Sequence, residues 1–212
     1  MNKAPYFIAF ACFVISFILG SISFATGYWF VAEGQGRLFR RLGLWEACFD
    51  GFEYTTDYIG KAYYGCWWIF HKEYHYIRQW ILPPWFKSVQ TLMTFAMVFL
   101  IAGLALLPSA GGNRETAARE SLTTFIMGIA GCCVACSVTV FGVMIGEDRT
   151  WMPRPDSDDP AYSFGLAVVS GFFAFFATIA MAVHTLMRKW ELLPHDDLNM
   201  SKKSISTLHS KA

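Results

Sequence analysis

The sequence predicts a mainly α membrane protein: a four-transmembrane-helix bundle carrying a small antiparallel β-sheet outside the bilayer. The helices follow from where charge is absent, and the sheet from where aromatic residues and two cysteines gather. The 212 residues are 55% hydrophobic and 17% aromatic, and only 16% are charged, against about 25% in an ordinary soluble domain. The 17 basic and 16 acidic residues all avoid four stretches, 5–32, 88–107, 121–145 and 161–187. Each is as long as the roughly 20 residues a helix needs to cross about 30 Å of hydrocarbon. The net charge of +1 gives no basic face for nucleic acid.

The first stretch begins after Lys3 and contains Ser23-Phe24-Ala25, features shared with a signal peptide. It runs on through Tyr28-Trp29-Phe30-Val31, past the roughly 7–15 apolar residues of a signal sequence, and is read as a retained span. Four spans put both termini on one side, loops 33–87 and 146–160 on the other, and leave a tail at 188–212, all in a single domain over 1–212. Lysine and arginine near the spans are divided almost evenly, so that rule does not set the orientation. Cysteine does. Cys12, Cys132, Cys133 and Cys136 fall in spans, whereas Cys48 and Cys66 share the long loop. A thiol pair isolated in one loop reads as a disulfide on the oxidising side, stabilising the loop by about 3 kcal/mol in the chain-entropy model. The loops are therefore expected outside and both termini in the cytoplasm, with the sequon Asn199-Met200-Ser201 unmodified.

Within the long loop, 42–49 and the aromatic run 62–70 (AYYGCWWIF) read as strands. Asp50-Gly51 and Ile59-Gly60 read as the turns between them. From 72 to 82, Tyr74, Ile77 and Ile81 recur at helical spacing before Pro83-Pro84 ends the segment. A sheet capped by one short helix follows. Loop 146–160 is acidic, and its prolines forbid a long regular element.

Several chemistries find no support. A transport path normally leaves an ionisable group inside the spans, yet these hold no Asp, Glu, Lys or Arg; His184 reads as an interfacial residue at the inner end of span four. Cys48, Cys66, His71 and His75 are spaced too widely for a zinc finger. Asp156-Ser157-Asp158-Asp159 lacks the glycine and distal glutamate of a calcium loop and reads as a solvated turn. Cys132, Cys133 and Cys136 beside Gly128 and Gly131 read as close helix packing. No nucleophile with its base is legible. The expectation is a non-enzymatic protein without metal or cofactor.

One constellation is specific: Trp29 at the end of the first stretch, then Gly43-Leu44-Trp45, Cys48 and Cys66. In this the chain resembles the claudin superfamily, which includes the peripheral myelin protein and epithelial membrane protein group and the calcium-channel γ subunits. The segment 65–70 and Leu82-Pro83-Pro84 are most similar to invertebrate claudin-like proteins of septate junctions. Two features depart from vertebrate claudins. The cysteines stand about twice as far apart, and the chain ends Leu208-His209-Ser210-Lys211-Ala212 where many end in a Tyr-Val type PDZ ligand.

The resemblance implies a left-handed four-helix bundle with a five-stranded extracellular sheet, four strands from loop one and one from loop two. Trp29 and Leu44-Trp45 would seat that sheet at the outer interface, where amphipathic aromatics prefer to lie. It also implies a plasma-membrane protein of lateral septate or tight junctions, supporting adhesion and a paracellular barrier. Its partners would be the lipid bilayer, itself or related claudin-like proteins in cis and in trans, and other junction proteins. Charge on the sheet would line a paracellular path: Arg37, Arg40 and Arg41 as one cluster, Asp50, Glu53 and Asp57 as another. The alternative is an auxiliary γ-type subunit of a membrane channel or receptor.

Overall fold

A computed structural model describes residues 4–32, 38–54, 60–108, 117–148, 151 and 158–209, with side chains described as far as residue 191. Four long helices carry the apolar stretches: α1 (Ala4–Ala25), α3 (Pro84–Leu106), α4 (Ala117–Glu147) and α5 (Tyr162–His209). All four are long and apolar enough to span a membrane. They pack in the cyclic order α1, α5, α4, α3, with α3 returning to α1.

Small residues let these helices approach. Ser16 and Ser170 join α1 to α5 reciprocally, each hydroxyl donating to the other's carbonyl at 2.9 and 2.8 Å. Such bonds satisfy hydroxyls that have no water at this depth. Phe13, Leu100, Met127 and Met181 fill the interior beneath them. Phe95, Phe125, Phe172 and Ile179 face outward, as the lipid-facing surface of a span should.

The helix ends differ from those the charge pattern predicts. The uncharged stretch 5–32 is not one helix: α1 stops at Ala25 and Phe30–Ala32 forms strand β1. There Trp29 N donates to Leu42 O at 2.9 Å, exchanging helical hydrogen bonds for sheet ones. At the other end, α4 begins four residues before the predicted span and takes Glu120 into the helix. Helix α5 runs on through the predicted tail to His209.

The sheet comprises β1, β2 (Phe39–Leu42), β3 (Glu46–Glu53), β4 (Ala62–Trp68) and β5 (Asp158–Pro160), in the order β4-β3-β2-β1-β5 with every pairing antiparallel. Four strands thus come from 33–87 or its border and one from 146–160, as expected. The expected strand 42–49 is divided, because Gly43-Leu44-Trp45 turns the chain from β2 into β3. Gly43 is obligatory there: a Cβ would overlap the Cα of Gly27 and lie 2.9 Å from the Thr26 carbonyl oxygen. Asp50-Gly51 is not a turn. It lies inside β3, where the register shifts between Asp50 and Phe52 and Gly51 takes φ 78°, the positive-φ signature of a bulge.

Segment 72–82 folds as a 3₁₀ turn (Lys72–Tyr74) followed by a short helix α2 (Arg78–Ile81) instead of one helix. The anticipated apolar positions hold, since Tyr74, Ile77 and Ile81 are all buried. The Tyr74 hydroxyl donates to the Ala47 carbonyl at 2.8 Å and fastens this cap to β3. Half of the acidic quartet is also reassigned: Asp158 and Asp159 pair with Ala32 and Val31 in β5, while Asp156 and Ser157 lie outside the described residues.

Candidate functional site: the disulfide-tied sheet face

Alternation along β3 divides its side chains between two faces. Ala47 and Phe49 turn to the core, where Phe49 meets Tyr74 edge-on at 5.6 Å and Trp80 at 6.4 Å. Glu46, Cys48 and Asp50 occupy the opposite face. Cys48 stands directly across from Cys66 on β4, and the two form a disulfide with a Cα–Cα separation of 4.1 Å. The thiol partition in the sequence therefore identified the bonded pair.

Arg41 lies over this bridge. Its Nε is 3.0 Å from Cys48 Sγ, its Nη2 donates to Glu46 Oε1 at 2.7 Å, and its guanidinium sits 4.3 Å above the Tyr28 ring. Tyr28 in turn stacks on Tyr162 at the start of α5. The arginine thus links β2, β3 and the segment after α1, with a cation–π contact of about 0.5–1 kcal/mol. Arg40 forms an ion pair with Asp50. The two clusters expected from the sequence are therefore interleaved: antiparallel pairing of β2 with β3 sets a base from one beside an acid from the other. Glu53 is exposed at the end of β3, opposite Ala62. Arg37 and Asp57 lie outside the described residues.

The motif residues do not share one environment. Trp29 is completely buried, donates from Nε1 to the Ser23 carbonyl at 2.9 Å, and packs edge-to-face on Phe141 of α4 and Phe164 of α5. It plugs the top of the bundle instead of facing lipid. Leu44 is also fully buried, and its carbonyl accepts from Gln90 Nε2 of α3 at 2.6 Å. Trp45 alone is partly exposed, between Phe24 of α1 and Phe70 after β4. Its indole N–H is buried with no acceptor among the described residues. The first two residues join sheet to bundle through protein packing; only Trp45 keeps part of its ring exposed.

The remaining candidates have local roles. The ligand atoms of Glu46, Cys48 and Cys66 lie within 4.8 Å of one another, but the sulfurs bond each other and offer no thiolate. His71 accepts from the Glu73 backbone N–H at 3.2 Å and stacks on Trp67, capping the 3₁₀ turn. Burial pushes the Tyr74 phenol well above its ordinary value. Two residues escaped the sequence reading. Arg78 donates to the carbonyls of Ile69, Phe70 and His71, and Lys61 pairs with Glu73 at 2.7 Å. Both contacts depend on a turn conformation that spacing does not reveal.

At the far end of the bundle, Glu120 of α4 is fully buried and paired with Arg188 of α5. Both residues lie just outside the uncharged stretches 121–145 and 161–187, in the parts of α4 and α5 that extend past them. His184, one turn before Arg188, is buried as well, 5.6 Å from the Tyr6 ring.

Four membrane-length helices, a five-stranded sheet closing one end and a disulfide across its outer pair of strands define a multi-pass membrane protein of the claudin-like class. Residues 14–183 match the family described as PMP-22/EMP/MP20/Claudin tight junction. The chain belongs to that family. No curated protein matches it.

Proposed function

We propose that the protein works at cell–cell contacts, where its sheet supports adhesion and a paracellular barrier. On this reading the chain is a single claudin-like unit in the plasma membrane. Segments 33–87 and 146–160 are extracellular, and both termini are cytoplasmic. Sheets assemble with copies of themselves or with related claudin-like proteins, laterally in one membrane and head-on across two; other junction proteins join that assembly. The observation that carries the reading is the disulfide-tied sheet held on the end of the bundle by Trp29, Leu44 and Gln90. A platform so fastened keeps its shape against a second surface, as an adhesive contact requires.

The charges favour sealing over strong ion selection. A pore that selects by sign needs a lining of one sign, whereas Arg40 pairs with Asp50 and Arg41 with Glu46. Of the described residues in the two clusters, Glu53 alone stands outside these pairs. The test is flux of a small dye across an epithelium lacking the protein, rescued with wild type or Cys48→Ser. Leakage corrected only by wild type supports the reading. A barrier that stays intact without the protein rejects it in favour of an auxiliary channel subunit.

A further inference from the structure

Strand β4 descends toward the membrane. Its pairing sets Ala62 opposite Glu53 at the far end and Trp68 opposite Glu46 at the near end. Glu46 directly follows Trp45, whose ring packs 5.3 Å from Phe24 in the last turn of α1. Ile69 N donates to the Trp45 carbonyl at 2.8 Å, which brings Phe70 beside the Trp45 ring. Trp68 then meets Phe70 edge-on at 5.5 Å.

These rings are not core. Trp68 is 59% exposed and Phe70 42% exposed. A chain of ring contacts therefore leads from Phe24, in the last turn of α1, through Trp45 and Phe70 to Trp68 at the near end of β4. Arg78 holds the supporting turn rigid through three carbonyls, with its guanidinium 5.9 Å from the Phe70 ring. Tyr64 is equally exposed but lies further along β4, opposite Asp50.

We propose that Trp68 and Phe70, together with Trp45, form a wedge seated in the interfacial layer of the bilayer, touching phospholipid at the boundary of headgroups and acyl chains. The ring contacts from Phe24, at the end of a membrane-length helix, through Trp45 and Phe70 to Trp68 set these rings level with the end of a span and favour lipid over a second copy of the chain as the occupant. Aromatic rings are enriched at this depth. The wedge would fix the tilt of the sheet relative to the membrane. It requires only the membrane-spanning bundle, not the barrier role.

The test uses the full chain in phosphatidylcholine nanodiscs, with or without brominated acyl chains, and aqueous iodide as a second quencher. Phe70→Trp and Tyr64→Trp each add one emitting ring at an exposed aromatic position. The emission added by Phe70→Trp should be lost in brominated discs and largely spared by iodide, with the reverse for Tyr64→Trp. Trp68→Phe should lower the lipid-quenchable emission of the wild-type chain. Resistance of disc-embedded variants to thiol alkylation at Cys48 and Cys66 confirms an intact sheet. The wedge is rejected if iodide quenches the position-70 emission as fully as that at position 64. It is also rejected if neither quencher reaches position 70, as burial against a second copy would produce, or if Trp68→Phe leaves lipid quenching unchanged.

Discussion

The Glu120 carboxylate, fully buried in α4, forms an ion pair with Arg188 of α5 at the end of the bundle away from the sheet. Arg188 is itself only 11% exposed on its side chain. The pair joins two helices that also meet directly at their opposite ends, where Phe141 of α4 and Phe164 of α5 pack together at 5.3 Å. Removing one partner strands the other charge, at a cost of about 3–5 kcal/mol. Glu120→Ala should therefore lower the thermal midpoint of the detergent-purified protein sharply. The double variant Glu120→Leu with Arg188→Leu should recover most of the loss, because no orphan charge remains. A double variant as unstable as Glu120→Ala would show that the pair is not what holds these ends together.

The sequence disclosed the four helices because hydrocarbon tolerates long uncharged runs, and such runs are conspicuous. It misplaced their ends because lack of charge does not distinguish helix from strand, as at Phe30–Ala32, and because Glu120 is neutralised by a residue distant in the chain. The disulfide was legible, since only two cysteines lie outside the spans. The interleaving of Arg40 with Asp50 was not, because it depends on strand register and on the register shift at Arg40 in β2. Trp29 and Trp45 both read as interfacial aromatics, and only packing separates the buried plug from the exposed ring.

Loss of the disulfide should act on the sheet and spare the bundle. Cys48→Ser removes a loop closure worth about 3 kcal/mol and leaves Cys66, on an exposed part of β4, as a free thiol. Surface biotinylation should show the variant retained inside the cell. Cys48→Ser with Cys66→Ser should reach the surface better than the single variant, having no thiol for mixed disulfides. Equal surface delivery of wild type and Cys48→Ser would remove the disulfide from the folding argument.

The turn between β2 and β3 should be intolerant of even a methyl group. In Gly43→Ala the new carbon meets the backbone of Gly27 and Thr26, which cannot rotate aside as a side chain would. Overpacking of this kind costs about 1–3 kcal/mol or more. Gly146→Ala in the last turn of α4 meets nothing within 4 Å and should be neutral or stabilising by up to about 1 kcal/mol. Thermal midpoints of the two variants, measured side by side, should fall on opposite sides of wild type or nearly so. Similar losses in both would point to helix or loop propensity and not to the close approach at Gly43.

Tyr74 gives the sheet a dependence on alkaline pH. Burial raises its phenol above the ordinary value, so the folded state holds the proton more tightly than the unfolded one. This contribution is complete below the unfolded pKa of about 10 and is lost as pH rises above it toward the folded value. Tyr74→Phe deletes the titration along with the hydrogen bond to the Ala47 carbonyl, a net cost of about 0.5–1.5 kcal/mol at neutral pH. Wild type should be the more stable at pH 7, and its advantage should shrink as pH climbs past about 10. Following melting of the detergent-solubilised protein across that range checks both parts. An advantage that stays constant with pH would mean that the Tyr74 phenol does not titrate differently on folding.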